Sequence, residues 1–536
     1  MRVNRFSGAI TAAMLTLSIA GPAAAQELKI GLAAEPSALD PHYHNLTPNI
    51  QIATQVFERL ADQDKNQAPQ PMLAESWKAT DDKTWVFNLR KGVKFSDGTD
   101  FTAQDVIYSF CRVPKVENSP SSFVVSTRPV DTMTAPDPYT IVITTAAPFP
   151  LMPQTVFSVA IMSAKQAGAP VDLKYSKDGC QGVAQWPRTD DFNKLKYAGT
   201  GPYKYTQYTP GDRIVMERND TYWGKKPVWQ KVILRPITQA AARVAALLSG
   251  DVDFIENPPI QDLPRIEANP TFAIAKGLSN RIIYLHFNYL ADSPPGVTGT
   301  EGKNPFRDKR VREAISLSID RDAIVSRIMG GVAVPAAEFL PNPLAGTNPG
   351  IKPAKPDLDK AKKLLAEAGY PNGFGLTVGT PNDRYINDAQ VAQAAAQMMS
   401  RAGLKLQVDA MTSTTFFDKR TKREFGLWLA GWSADTGEMS NSLRALAGTP
   451  DPKTGFGTTN PGGYSNKEMD ALLTKALTTV DDKQRNSLLA EASRMVMDDY
   501  GVIPLHFEVT VWAFKKGLTY EAQVNQYTRP DAIGRQ

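Results

Sequence analysis

Tyr284-Leu285-His286-Phe287-Asn288 in mid-chain and Pro504-Leu505-His506-Phe507-Glu508 near the C-terminus are two apolar segments that share a tripeptide. Both have the length and composition of buried strands. They occur where the chain would leave a first domain and later return to it. We interpret them as paired crossover strands that form a hinge between two lobes. The alternative is two unrelated core strands that share three residues by chance.

The residues between these two segments have the pattern of an α/β domain. Helical apolar faces end at Gly369 and Gly403, and the second glycine is followed by the strand-like run Leu404-Lys405-Leu406-Gln407-Val408. Repeats of helix, glycine and strand are typical of parallel sheets covered by helices. We therefore predict a mostly parallel sheet in this half of the chain.

The length of 536 residues also indicates more than one domain, because single hydrophobic cores stop growing at about 250–300 residues. We predict an α/β fold with two lobes. The first lobe would comprise 26–61, 196–284 and 505–536, and the second lobe 285–504. A segment rich in Pro, Ser and short strand signals would form an extra subdomain on the first lobe, at 62–195.

The first 25 residues have the composition of a secretory signal peptide. Arg2 and Arg5 precede an apolar stretch from Ala9 to Ala20, and Ala23-Ala24-Ala25 supplies the small residues that signal peptidase reads. No later segment approaches the about 20 apolar residues of a membrane helix. We expect cleavage before Gln26 and a product free in an exported compartment, most simply a bacterial periplasm.

Cys111 and Cys180 are the only cysteines of the chain. In an oxidising compartment, an even number of cysteines makes a structural disulfide the default expectation. The alternative is a metal or redox pair, which the absence of a CxxC spacing disfavours.

Charge and motifs exclude several functions. A net charge of +5 over this length provides no basic field for nucleic acid. No HExxH, GxSxG, GxxxxGK[ST] or GxGxxG motif occurs, so we expect no catalytic residues and no cofactor. His42 and His44 could hold a metal from one strand face, but without a neighbouring Cys or carboxylate cluster a solvated pair is favoured and we expect no metal. An exported hydrolase remains as a competing class, since paired carboxylates carry no local motif.

A series of ordered motifs resembles the signature of the extracellular solute-binding proteins of family 5, the peptide, opine and nickel receptors of ABC importers. The signature covers Leu73-Ala74-Glu75-Ser76-Trp77, Asp82, Trp85-Val86-Phe87-Asn88-Leu89-Arg90, Gly92-Val93-Lys94-Phe95-Ser96-Asp97-Gly98 and Ala103-Gln104-Asp105-Val106. Further matches follow in order at Gly199-Thr200-Gly201-Pro202-Tyr203, Gly250-Asp251-Val252-Asp253, Val311-Arg312-Glu313-Ala314, Ile319-Asp320-Arg321 and Ala366-Glu367-Ala368-Gly369-Tyr370. The chain is most similar to dipeptide- and oligopeptide-binding members.

The resemblance implies a receptor whose two lobes close over a ligand. It implies a periplasmic, monomeric substrate-binding component that captures small peptides and delivers them to a cognate ABC permease in the inner membrane. An opine, a sugar conjugate or a metal chelate is the alternative ligand within the family. Outside it, the alternatives are the exported hydrolase and a chaperone-like or adhesive protein. The Trp77 to Asp105 signature is predicted to be structural.

The resemblance also implies two charged ligand contacts. A zwitterionic peptide buried between lobes needs both of its charges neutralised. In dipeptide receptors of this family an Asp soon after a Gly-Trp pair meets the ammonium, which corresponds here to Asp435 after Gly431-Trp432. An Arg in a loop after a strand meets the carboxylate, which corresponds to Arg384. The following run, Thr436-Gly437-Glu438-Met439-Ser440-Asn441, departs from the acidic, proline-containing run of dipeptide receptors.

Each of these residues has a structural alternative. Asp435 could cap a turn before Gly437, and Arg384 could pair with Asp383 or Asp388 on the surface. Trp432 is either a cleft wall that stacks on the ligand or part of the second-lobe core. Polar contacts on the opposite wall are predicted, from position alone, at Tyr43, Asn45 and Thr47.

Overall fold

The computed structural model describes residues 26–536, so the predicted signal peptide and its cleavage site lie outside the described residues. The described chain has a mixed α/β fold. Its strands are β1 Glu27–Leu32, β2 Ala61–Gln63, β3 Pro69–Pro71, β4 Ala74–Ala79, β5 Thr84–Leu89, β6 Val130–Asp137, β7 Thr140–Thr145, β8 Tyr203–Thr209, β9 Arg213–Arg218, β10 Lys231–Pro236, β11 Phe254–Glu256, β12 Phe272–Phe287, β13 Val297–Thr298, β14 Ala333–Pro335, β15 Gly375–Pro381, β16 Lys405–Met411, β17 Leu427–Ser433, β18 Ile503–Lys515, β19 Leu518–Thr519 and β20 Gly534–Arg535.

The α-helices lie mostly between the strands of the second half. They are α1 Thr47–Ala53, α2 Ala103–Arg112, α3 Val124–Thr127, α4 Met152–Val156, α5 Thr189–Asn193, α6 Ala240–Ser249, α7 Leu263–Glu267, α8 Lys309–Ser318, α9 Arg321–Ala323, α10 Leu358–Glu367, α11 Asp388–Ser400, α12 Ser413–Thr421, α13 Met439–Ser442, α14 Lys467–Ala476 and α15 Asp482–Asp498. In residues 26–536 no helix combines the length and the apolar character needed to cross a bilayer.

Two long strands carry the segments that share a tripeptide. β12 has 16 residues and β18 has 13, and they pair antiparallel over most of their lengths. Ile283 lies opposite His506, and Leu285 opposite Ile503. The predicted pairing of crossover strands is confirmed. The register shifts between Leu278 and Ile282, so the β12 residues at this point bulge opposite Glu508.

These strands connect two groups of strands in one 12-stranded sheet, of order β13-β15-β17-β12-β18-β11-β1-β10-β9-β8, with β14 on β18 and β16 on β15. β15 runs parallel to β16 and β17, as predicted for the second half. β17 pairs antiparallel with β12, however, and β13 pairs antiparallel with β15. The prediction of a mostly parallel sheet is therefore wrong at both of these pairings. At the first of them, β17 pairs with a crossover strand that runs in the opposite direction.

The buried apolar residues form separate cores on the two sides of the crossover strands. We call first lobe the part whose core runs from Leu28 to Phe254 and from Trp512 to Ile533. The second lobe has core residues between Ile282 and Phe507, in two clusters. The predicted domain boundaries themselves stay a prediction.

Strands β4 and β5, which carry part of the family signature, belong to a separate four-stranded antiparallel sheet, β4-β5-β7-β6. Trp85, Phe87 and Leu89 alternate inward along β5 and are buried in the first-lobe core. Gly98 adopts φ +88°, which explains why the turn after Asp97 needs glycine. The carboxylate of Asp105 accepts the main-chain N–H of Thr102 at 2.7 Å, as the predicted helix start requires.

A disulfide joins Cys111 at the end of α2 to Cys180, with 5.3 Å between the Cα atoms. The neighbouring Arg112 donates to both carboxylate oxygens of Asp40, at 2.8 and 2.6 Å, and both side chains are almost completely buried. Burial alone would raise the pKa of Asp40, but the charge of Arg112 and its hydrogen bonds outweigh burial and hold that pKa below its usual value. The disulfide thus closes a loop within the extra segment, and the ion pair of Arg112 with Asp40 attaches that segment to the first lobe.

Candidate functional site

A cavity of about 300 Å³ lies between the two lobes at the crossover strands. The first-lobe side contributes Asn45, Thr47, Gln63, Gln67, Gln526 and Tyr527, the second-lobe side contributes Arg384, Tyr385, Phe417, Arg420, Trp432 and Asp435, and Asn280 and Arg281 of β12 lie between them. Five of the six ligand contacts predicted from the sequence line this one cavity. That they bind a ligand stays a prediction.

Asp435 follows β17 in a tight turn. The main-chain N–H of Gly437 donates to the carbonyl of Ala434 at 3.0 Å, so backbone atoms close the turn. Within residues 26–536 the Asp435 carboxylate has neither a hydrogen bond nor an ion pair, and its side chain faces the cavity, where water reaches it. Its partial enclosure raises the pKa of this carboxyl, and the positive charge of Arg281 acts against that rise. The Asp435 side chain therefore does not cap this turn, which was the structural alternative considered for it.

Arg384 follows β15 in a loop that Asp388 holds. One carboxylate oxygen of Asp388 accepts the main-chain N–H groups of Arg384 and Tyr385, both at 3.0 Å. The guanidinium of Arg384 is exposed, lies 5.4 Å from the centre of the Tyr385 ring and forms no ion pair in the described part of the chain. Asp383 accepts instead from the main chain of Ser413. The alternative of surface pairing with Asp383 or Asp388 is therefore not seen.

Trp432 combines the two roles considered for it. Its indole N–H donates to Oδ1 of Asn441 at 2.9 Å, and the side chain packs against a second-lobe core cluster. It also lines the cavity. The wall of the cavity at this point is therefore supported by the core beneath it.

Tyr43 does not line this cavity, and a contact between it and a ligand stays a prediction. It lies in a different depression together with Lys115, Glu117 and Trp186. Its carbonyl accepts from the Ser119 hydroxyl at 2.6 Å, which holds this part of the loop against the extra strands. Position in the loop alone did not indicate which wall Tyr43 would meet.

Arg281 and Arg420 line the cavity without having been predicted. Arg281 forms an ion pair with Glu508 across the crossover strands, at 3.3 Å, and donates to Gln526 at 3.0 Å. In the sequence, only the position of Arg281 just before the Tyr284 segment could have indicated that it lies at the cleft. Arg420 lies on α12, where nothing in the sequence sets it apart from Lys419 and Lys422.

Hydrogen bonds join the lobes at the turn of Asp435. Gln63 donates to the main-chain carbonyl of Asp435 at 3.0 Å, and Gln67 donates to the carbonyls of Ala434 and Asp435 at 3.3 Å. Asn280 donates to both Gln67, at 2.7 Å, and Ala434, at 2.8 Å. The described conformation is therefore one in which the lobes touch.

A second cavity, of about 750 Å³, continues from the first. Both are lined by Leu46, Thr47, Arg281, Arg384, Tyr385 and Gln526. The additional lining includes apolar atoms of Ala33, Pro48 and Ile386 beside the carboxylates of Glu256 and Glu508. The wider end of the cleft thus has apolar surface as well as charged groups, which include Asp383 and Arg243.

His42 and His44 have separate partners. Nε2 of His42 lies 2.8 Å from the carbonyl of Ala160, and Nδ1 of His44 lies 2.9 Å from the hydroxyl of Ser37. The two residues do not form a solvated pair, because His42 is completely buried and only His44 is partly exposed. In the described part of the chain no three His, Cys, Asp or Glu residues are arranged to hold a metal ion.

The sequence as a whole matches known proteins. The model of the bacterial extracellular solute-binding proteins, family 5 (middle region), covers residues 68–453. The chain belongs to this family. This solute-binding protein is 30% identical over 523 residues to the glutathione-binding protein GsiB of Shigella dysenteriae, with 96% of the chain and 95% of that relative covered. The glutathione-binding protein GsiB of Escherichia coli K12 is 29% identical over the same coverage.

Solved structures share the two-lobed fold of this solute-binding protein. The unliganded open form of MppA, a periplasmic murein tripeptide binding protein, has a TM-score of 0.76 at 25% identity and covers 96% of this chain and 98% of its own. DppA of Helicobacter pylori, in complex with the peptide STSA, has a TM-score of 0.71 at 23% identity, covering 95% and 98%. The family is one of binding proteins, and the predicted membership and fold are confirmed.

Proposed function

We propose that this protein is the periplasmic substrate-binding component of an ABC importer for small peptides. It encloses a peptide between its lobes, without changing it, and delivers it to a cognate permease in the inner membrane as a monomer. One observation carries the proposal: Asp435 and Arg384, whose carboxylate and guanidinium form no ion pair with any of residues 26–536, line the same cavity between the lobes.

The two charges suit the two ends of a peptide. Asp435 would accept the ammonium and Arg384 would hold the carboxylate by two parallel hydrogen bonds. Cavities of about 300–1,000 Å³ are usual for small ligands, and both connected cavities fall in that range. The relatives support a peptide as the ligand class, since GsiB is named for glutathione and MppA for a tripeptide.

Titration calorimetry with the ligand-free protein tests this proposal. We expect saturable binding of unmodified alanyl peptides with dissociation constants in the micromolar range, about −8 kcal/mol. N-acetylated and C-amidated forms of the same peptide should bind at least about tenfold more weakly, because each lacks one of the two charges. Mass spectrometry should recover every peptide intact.

Two results would contradict the proposal. One is the absence of saturable binding for every peptide of two to five residues. The other is the appearance of a cleavage product, which would instead indicate the exported hydrolase. Mass spectrometry of molecules that co-purify with the native protein would show whether an opine, a sugar conjugate or a metal chelate occupies the cleft.

A further inference from the structure

The smaller cavity, taken without the wider one beside it, holds one more positive charge than a simple peptide needs. Within residues 26–536, Asp435 supplies a negative charge without an ion pair, and Arg384 and Arg420 supply two guanidinium groups without one. Arg281 is compensated by Glu508. We propose that the ligand has a second carboxylate besides its C-terminal one, and that Arg420 binds it. The ligand class is then a small acidic peptide with one ammonium and two carboxylates.

The surroundings of Arg420 distinguish it from the neighbouring lysines at 419 and 422. Lys419 lies 3.4 Å from Asp409, and Lys422 lies 2.8 Å from Asp418. Arg420 lines the cavity, and within residues 26–536 no carboxylate reaches its guanidinium. The neighbouring lysines form ion pairs with acidic side chains outside the cavity, whereas the guanidinium of Arg420 is available to bind a ligand in the cavity.

The guanidinium of Arg420 is held in place and is incompletely satisfied. It lies over the Phe417 ring, one helical turn earlier, at 4.9 Å from the ring centre, which is a cation–π contact. Its Nε is buried and donates to no atom of the described residues. A buried donor without an acceptor costs free energy, and a carboxylate would supply the missing acceptor. The planar fork, already oriented by Phe417, suits two parallel hydrogen bonds.

The charges expected of the ligand follow from these groups, and this step rests on the proposed function. The ammonium of the ligand is assigned to Asp435 and its C-terminal carboxylate to Arg384, which leaves Arg420 without a counter-ion. A neutral dipeptide would enclose this cation unpaired when the lobes close, which is unfavourable. Glutathione, with one ammonium and two carboxylates, has the required set of charges, and the GsiB relatives are named for it.

Matched peptides that differ in a single carboxylate test the inference by calorimetry. The three pairs are Ala-Glu with Ala-Gln, Glu-Ala with Gln-Ala, and γ-glutamyl-alanine with 4-aminobutyryl-alanine, which lacks only the α-carboxylate. Glutathione is titrated beside them. We expect the wild-type protein to bind the acidic member of at least one pair about tenfold or more tightly.

Substitution of Arg420 should remove this preference selectively. Arg420→Gln is expected to bind both members of that pair with the wild-type affinity for the neutral member. Arg420→Lys should retain part of the preference, since it keeps the charge but loses the fork. Lys419→Gln, on the same helix but paired with Asp409, is the matched control and should retain all of it. Melting temperatures verify that each variant is folded. If Arg420→Gln does not fold, the reduced preference of Arg420→Lys for the acidic member serves as the test instead.

Two results would overturn the inference while leaving the proposed function intact. In one, the wild-type protein binds peptides but binds both members of all three pairs within about twofold. In the other, Arg420→Gln weakens acidic and neutral members equally, which would place Arg420 beside Arg384 on the C-terminal carboxylate. Absence of binding for every peptide would instead contradict the proposed function itself.

Discussion

Replacing Asp435 by Asn should weaken peptide binding by removing a charge while keeping the shape of the side chain. Two unit charges about 4 Å apart interact with about 4 kcal/mol at an effective dielectric constant of about 20. Water reaches the Asp435 side chain in the cavity, and this screening roughly halves the interaction. We therefore expect a loss of about 2 kcal/mol, or about 30-fold in the dissociation constant.

Titration calorimetry at neutral pH with an alanyl peptide and its N-acetylated form measures this loss and its origin. If Asp435 binds the ammonium, acetylation of the peptide should weaken its binding to the wild-type protein. Acetylation should not weaken binding to Asp435→Asn any further, because the variant has already lost this interaction. Asp418→Asn is a suitable control, because Asp418 is exposed on α12, pairs with Lys422 and does not line the cavity.

The reasoning is refuted if Asp435→Asn binds the unmodified peptide within about twofold of the wild-type protein. It is also refuted if acetylation weakens binding to the variant as much as to the wild-type protein. Either result would mean that the ammonium is neutralised elsewhere in the cleft.

Three further outcomes are expected. Since partial enclosure raises the pKa of Asp435, ligand affinity should fall as the pH decreases through that raised value, and calorimetry across this range should show no such fall for Asp435→Asn. Asp40→Asn leaves Arg112 buried without its anion and should lower the free energy of unfolding, measured with urea, by about 3 kcal/mol or more. The pKa of Asp40 is lower in the folded protein than in the unfolded chain. The wild-type protein therefore has this stability above the pKa of the unfolded chain and loses it as the pH falls through the pKa of the folded protein. Gln67→Ala removes hydrogen bonds between the lobes and should speed peptide dissociation by a few-fold in stopped-flow measurements, with an unchanged melting temperature of the free protein.

Features that depend on neighbouring residues in the chain were predictable from the sequence. The glycines that end α10 and α11 adopt positive φ, +95° at Gly369 and +106° at Gly403, as expected for such positions. The crossover pair was also predicted, because two similar apolar segments can be recognised without knowing what lies between them. The sheet of the second lobe was harder, since the direction in which β17 meets β12 depends on packing across the whole lobe.

Motifs of the family led to Asp435, Arg384 and Trp432, whereas position alone led to Asn45 and Thr47, which also line the cavity. Asp435 and Arg384 stand in recognisable contexts, and both line one cavity. Tyr43 had no such context, and a hydrogen bond from Ser119 holds its loop elsewhere. Arg420 could not have been selected from the sequence, because what marks it is the lack of an acidic partner among the described residues, and only the three-dimensional arrangement shows which cations have one.

The contacts between the lobes involve the peptide backbone around Asp435 and not its side chain. Gln63 and Gln67 donate to carbonyl oxygens, which every amino acid offers at those positions. The side chain at position 435 and the hydrogen bonds between the lobes are thereby separable in this scaffold. Mutations that retune selectivity, in natural paralogues or in an engineered biosensor, are free to change the residue at 435 while these hydrogen bonds between the lobes are kept.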